Sequence, residues 1–134
     1  LLNLKDKFGK SALVYCVNKD RIKATEFLLV HQPEVDSLDK FEWTPLMWAV
    51  KKDYIEIIKL LVEHKANINH KDDDGTPLIQ YAVENESVDI VKFLIEKGVD
   101  INVTDQYGLS PLVYALKTKN KAMVDLIRSA GGEY

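Results

Sequence analysis

Apolar positions fall into two kinds of block that alternate along the chain. The shorter kind is clearest at Leu46, Ala49 and Val50, which share a helical face made partly of small residues that let a neighbour approach closely. After the polar stretch Lys51 to Tyr54 comes the longer kind, where Ile55, Ile57, Ile58, Leu60 and Leu61 are apolar on more than one face, as in a helix sandwiched between neighbours. A polar and aromatic turn, Asp39 to Trp43, precedes the shorter block; Thr44 then suits a helix N-cap and Pro45 a first helical residue. Lys65 to Asp72 carries the chain back to the next turn. The pattern predicts a unit of turn, short helix, long helix and return segment.

The unit recurs. Asp6, Asp39, Asp72 and Asp105 stand 33 residues apart (39−6, 72−39, 105−72), and Cys16, Ala49, Ala82 and Ala115 follow each by ten. Phe27, Leu60, Phe93 and Leu126 align at the same period, as do Leu28, Leu61, Leu94 and Ile127, while Val35, Ile68 and Ile101 mark an expected return strand. A fixed period of about 20 to 50 residues signals a stacked repeat array. With an Asp, a Gly three places on (Gly9, Gly75 and Gly108, replaced once by Glu42) and then Thr44, Pro45, Leu46, the chain resembles the ankyrin repeat family over residues 1 to 134.

That resemblance implies an all-α fold, an ankyrin-repeat solenoid of stacked helix-turn-helix units joined by β-hairpin-like loops. It implies a single domain, 1–134, with repeats at 6–38, 39–71, 72–104 and 105–134. Departures from the pattern carry expectations of their own. The first repeat has Ser11, Ala12, Leu13 and the fourth Ser110, Pro111, Leu112, whereas Thr76, Pro77, Leu78 come one place early, so the third short helix is expected to start a residue sooner. Val14, Met47, Gln80 and Val113 stand where the family usually has His, which predicts weaker bonding between loops and modest stability. Leu2 and Asn3 match Val35 and Asp36, so residues 1–5 read as the tail of an earlier repeat; with no initiating Met, a longer parent chain with repeats upstream is expected. Lys121 replaces the apolar residue seen as Ile22, Ile55 and Val88, and Gly131 and Gly132 close the last helix, as a C-terminal cap would require.

A net charge of −3, with 46% apolar and 29% charged residues, indicates a soluble folded chain and not a generic nucleic-acid binder, and no basic stripe runs across the units. No apolar run is long enough to span a membrane. One Cys excludes an internal disulfide, and an intracellular address, cytoplasmic or nuclear, is expected. Catalysis is not expected, because no nucleophile has a base at a suggestive spacing. His31 and His64 lie one period apart, Cys16 occupies a small-residue packing position, and Asp72, Asp73, Asp74 and Gly75 lack the alternating ligands and final Glu of a calcium loop. Neither a cofactor nor a metal is called for.

In the ankyrin family, partners bind on a concave strip of loop tips and first helices. Carried onto this chain, those offsets give Phe8, Phe41 and Tyr107 at the tips, with Trp43 and Leu109 beside them, and Tyr15, Trp48, Tyr81 and Tyr114 on the short helices. The helix rings also suit a packing role. Residues 72–104 hold eight acidic and two basic side chains, and Asp73, Asp74, Glu84 and Glu86 border the strip, favouring a partner segment with a basic centre. The expected function is therefore a non-catalytic module that binds a partner protein or extended peptide. The alternatives are a structural or regulatory segment inside a larger enzyme, channel or scaffold, and a methyl-lysine reader built on Trp48, Tyr81 and Glu84. The oligomeric state is not legible.

Overall fold

Each repeat opens with a turn that an aspartate closes twice through its own backbone. The Asp N–H donates to the carbonyl four residues on (Asp6 to Lys10, Asp39 to Trp43, Asp72 to Thr76, Asp105 to Leu109; 3.0–3.1 Å), and its carbonyl accepts the N–H three residues on (Gly9, Glu42, Gly75, Gly108; 3.0 Å). The third-following residue sits in the left-handed region in all four turns, with φ 78° at Gly9, 58° at Glu42, 83° at Gly75 and 75° at Gly108. This explains the recurring Gly. Isolated antiparallel bridges, Lys5 with Ser11 and Lys71 with Pro77, are the only pairing of hairpin type among the described residues.

The computed structural model describes residues 3–134, so the expected match at Leu2 lies outside it. Eight α-helices in four pairs occupy the described residues: α1 (Ala12–Asn18), α2 (Ile22–Val30), α3 (Pro45–Lys51), α4 (Ile55–Glu63), α5 (Leu78–Glu84), α6 (Val88–Glu96), α7 (Pro111–Thr118) and α8 (Lys121–Ser129). They form two compact units, Leu1–Asn67 and Ile68–Tyr134. In the first, α1 packs on α2 and α3, α3 on α4, and α2 on α4; in the second, α5 packs on α6 and α7, α7 on α8, and α6 on α8. Leu46, Met47, Ala49, Val50, Ile57, Ile58 and Leu61 are sealed from solvent in the first unit, as are Leu78, Ala82, Val83, Val91, Leu94 and Ile127 in the second. Val14, Met47 and Gln80, at the position expected to carry His, are buried too, so two of these three give the core apolar volume in its place.

Caps follow the sequence in part. Ser11 and Thr44 accept the N–H groups of Val14 and Met47 at 3.3 and 3.2 Å, and Asn120 accepts that of Met123 at 3.1 Å. Ser110 does not cap α7; its hydroxyl donates to the Glu133 carbonyl at 2.6 Å. The early start expected for the third short helix is not observed. α5 begins six residues after its Asp, as α1, α3 and α7 do. The turn closed on Asp72 sets where the helix can begin; Pro77, extended at φ −77° and ψ 153°, takes the N-cap seat without a side-chain cap.

The expected return strand is also absent. Val35, Ile68 and Ile101 lie in turns, and what joins successive repeats there is a side chain. Asn3 accepts the Glu34 N–H at 2.8 Å, Asp36 the Asn67 N–H at 3.0 Å, Asn69 the Asp100 N–H at 2.8 Å and Asn102 the Glu133 N–H at 2.8 Å. Acceptors and donors each advance by 33 (36−3, 67−34 and so on), so one side chain per repeat does the work of a strand ladder.

Close approach within the first unit separates two glycines of equal backbone conformation. A Cβ on Gly9 would stand 3.1 Å from both Asp39 Cα and Lys40 N, while one on Gly108 meets nothing within 4 Å. Gly108→Ala is expected to cost about 1 kcal/mol from its left-handed backbone alone. Gly9→Ala should cost about 2–3 kcal/mol, because backbone must also shift. Urea unfolding of the two variants checks the difference; equal losses would contradict it.

Candidate protein-interaction site

The four aspartates also shape the surface at the loop tips. In each turn Oδ1 accepts two backbone N–H groups, two and four residues on: Phe8 and Lys10 to Asp6 (2.8 and 2.9 Å), Phe41 and Trp43 to Asp39 (2.9 and 3.0 Å), Asp74 and Thr76 to Asp72 (3.0 Å each), Tyr107 and Leu109 to Asp105 (2.9 and 3.0 Å). Oδ2 accepts from the short-helix ring nine residues on. Tyr15, Tyr81 and Tyr114 donate their phenol hydroxyls to Asp6, Asp72 and Asp105, and the Trp48 indole Nε1–H donates to Asp39 at 2.9 Å. The helix column of aromatics is therefore a set of tethers between a short helix and the loop before it.

Proton affinities record the same contacts. The Tyr15 hydrogen bond, with the Lys10 N–H next, lowers the Asp6 carboxyl, and that bond raises the Tyr15 phenol. Burial pushes Asp105 upward, but the Tyr114 hydroxyl and the Leu109 and Tyr107 N–H groups outweigh it and leave the carboxyl below its ordinary value. Tyr81 is raised by burial first and by Asp72 second. Burial, then the Asp105 hydrogen bond and charge, and then the Glu84 charge, push the Tyr114 phenol up from 10.0 to about 12.

The tips themselves are exposed. Phe8, Phe41 and Tyr107 are 45%, 49% and 75% accessible, although the N–H of each is pinned by its aspartate. In the first unit the structure gathers Phe8, Phe41, Trp43 and Trp48. The Trp43 and Trp48 rings lie 4.6 Å apart at 54°, and Phe8, Phe41 and Trp48 line a cleft of about 270 Å³ with Lys10, Asp39 and Lys40. Those lysines are absent from the sequence-derived set, although an ammonium beside ring after ring is the main electrostatic feature there. Lys40 Nζ stands 5.4 Å from the Phe8 ring centre and 4.9 Å from that of Phe41, and Lys10 and Lys52 stand 5.2 and 5.9 Å from Trp48. Lys40 repeats Lys7 at the 33-residue period (40−7), a signal open to the sequence, whereas Lys10 has Trp43, Thr76 and Leu109 at its equivalent positions and gave none.

In the second unit, Tyr114 and Glu84 come together closely enough to interact, as do Tyr81 and Asp74. Glu84 also accepts the Gln80 side-chain amide at 2.8 Å, and Glu86 that of Asn120 at 3.3 Å. Asp73 and Asp74 are exposed; Leu109 is half-buried. The oxygens of Asp72, Asp73 and Asp74 lie within 4.8 Å of one another, but Asp72 already accepts two N–H groups and the Tyr81 hydroxyl. Of the proposed methyl-lysine set, Trp48 belongs to the first unit and Tyr81 and Glu84 to the second; each ring is tied to its own loop, and Trp48 already has two ammonium groups near it.

Elsewhere, burial raises the Cys16 thiol, which keeps it from the thiolate form. His31 packs edge-on against Phe27 at 4.7 Å, and His64 Nδ1 lies 2.9 Å from the Leu60 carbonyl, both at helix C-termini. Among the described residues no helix is long and apolar enough to cross a membrane.

The family description "Ankyrin repeats (3 copies)" matches residues 1–72 and 67–134. The chain belongs to the ankyrin repeat family, an all-α class of helix-turn-helix repeat solenoids whose members are generally non-catalytic protein-protein interaction modules. A search of curated proteins finds no match.

Asp39→Ala removes the acceptor of two N–H groups and one indole N–H at a residue only 6% exposed, and should cost about 2–4 kcal/mol in urea unfolding. A loss under about 0.5 kcal/mol, the range of ordinary surface substitutions, would show the tether to be idle. For Tyr114, a folded pKa raised above the unfolded value means a stabilising contribution that is complete below pH 10.0 and lost as pH rises toward about 12. Stability should therefore fall across that alkaline interval, and less steeply in Tyr114→Phe; identical slopes would contradict the assignment.

Proposed function

We propose that the chain is a non-catalytic binding module that takes a partner protein or an extended peptide on the face formed by loop tips and short helices. The observation that carries this reading is the contrast at the tips: Phe8, Phe41 and Tyr107 hold exposed rings on backbone that Asp6, Asp39 and Asp105 have already ordered. Ring and loop lose little freedom on binding, so each ring that becomes a buried anchor contributes about 2 kcal/mol. On the second unit the exposed Asp73, Asp74, Glu84 and Glu86 suit a basic stretch of the partner.

Trp48→Ala would break a loop contact as well as a surface, whereas the Phe8, Phe41 and Tyr107 rings make no hydrogen bond that truncation would remove. Capture from cell extract with wild type beside a Phe8→Ala, Phe41→Ala, Tyr107→Ala variant should yield a protein that only wild type retains, with unfolding free energies within about 0.5 kcal/mol of each other. A partner retained equally by both would place binding elsewhere. The rival reading, a segment that packs within a larger enzyme, channel or scaffold, draws on Phe27 and Val30 of α2, exposed to 65% and 71%. It expects the reverse: a contact kept by the loop variant and lost in Phe27→Ser.

A further inference from the structure

We infer that the cleft of the first unit is a receptor for an acidic peptide segment, one large apolar side chain flanked on both sides by carboxylates. The inference rests on the protein-binding reading above and adds the chemistry of the ligand. The cleft, about 270 Å³, lies just under the range of about 300–1,000 Å³ that whole small-molecule ligands occupy, and suits a single side chain. Three of its walls are the rings of Phe8, Phe41 and Trp48, which offer an apolar or aromatic anchor stacking surface.

Charge at the rim selects what flanks that anchor. Lys40 stands beside Phe8 and Phe41, Lys7 beside Phe8 at 5.1 Å, and Lys10 beside Trp48. Among the described residues, no salt bridge joins the Lys7, Lys10 or Lys40 ammonium to a carboxylate, the Lys10 charge acting on Asp6 only from beyond contact. A ring beneath an ammonium steadies it by turning at most part of its three N–H donors to the π face, so the others remain for a ligand. The one acidic wall, Asp39, spends its oxygens on the Phe41 and Trp43 N–H groups and the Trp48 indole. With Lys10 beside the Trp48 wall and Lys40 beside the Phe8 and Phe41 walls, every ring that an anchor would touch has an ammonium next to it, which is why more than one carboxylate is wanted around the anchor. A nucleic acid is the weaker fit: the net charge is −3, and the cleft holds one side chain instead of a backbone track.

Both tryptophans of the chain report on this cleft, Trp48 as a wall and Trp43 through its ring contact, so indole emission follows binding directly. The probe is a pentapeptide with Phe between two pairs of Asp, titrated into the full chain beside its Lys-flanked and Ala-centred counterparts. The Asp-flanked Phe peptide should change the emission saturably and weaken with added salt. Lys10→Glu with Lys40→Glu should weaken it about tenfold or more, and Lys10→Gln with Lys40→Gln by less, both variants keeping the wild-type circular dichroism. Equal binding of the Lys-flanked peptide, indifference to both charge variants, or equal displacement by a single-stranded oligonucleotide would overturn the inference. The broader reading fails separately. A captured partner lost by Phe8→Ala and Phe41→Ala but untouched by charge reversal and by excess acidic peptide refutes the acidic ligand and leaves the interaction face standing. A partner indifferent to every one of these substitutions refutes both.

Discussion

An ionised carboxylate has about four lone-pair sites, and at the head of each repeat in this chain it commits three of them in three directions. Two go to backbone N–H groups of its own turn, and the third goes to the polar end of a ring on the following helix, as when Asp39 holds Phe41 N, Trp43 N and Trp48 Nε1. Much else depends on that arrangement. It forces the left-handed residue at the third position, it determines where the short helix begins even when the Thr-Pro pair has slipped, and it holds the aromatic column against the loops. It also leaves the carboxylate few lone pairs for a ligand, and where Asp39 lines the aromatic cleft its charge is offset by Lys10 and Lys40 in the same lining.

Function builds on what the tether leaves free. At the turn's second position the backbone is pinned while the side chain points outward, so an aromatic there is exposed and already placed. Lysines then gather over those rings in the first unit, while in the third turn Asp73 stands at the position of Lys7 and Lys40, and Asp74 where the other turns carry Phe or Tyr. The first two turns thus carry lysine and an aromatic where the third carries two carboxylates, at positions whose side chains make none of the turn's own bonds.

Much of the fold was legible because packing and turn chemistry both follow the 33-residue period. The helix pairs, their apolar faces and the turn closed by Asp appear in the spacing of Asp39, Ala49 and Leu61 and their equivalents. What misled was local in origin. Thr76 and Pro77 look like a cap and a first helical residue, yet the bonds at Asp72 override that preference and Pro77 becomes the cap. Val35, Ile68 and Ile101 have the side chains of strand residues but lie in turns, where Asp36, Asn69 and Asn102 next to them make the bonds between repeats.

The site was legible by column and not by role. Asp and aromatic stand nine residues apart in all four repeats, and every aromatic in the helix column carries an N–H or O–H donor; that pairing was available in the sequence as a tether signal. Lys7 and Lys40 stand one period apart (40−7 is 33), each directly after its turn Asp, whereas Lys10 has no equivalent in the other repeats; the structure is what brings all three to the rings. The most direct test of the tether is hydrogen exchange at the Trp48 indole, its resonance assigned by its disappearance in a Trp48→Phe variant. If Asp39 holds that N–H as described, it exchanges far more slowly than a free indole. Exchange at the free rate would mean that the ring is unanchored and that the surface built on it is not preordered.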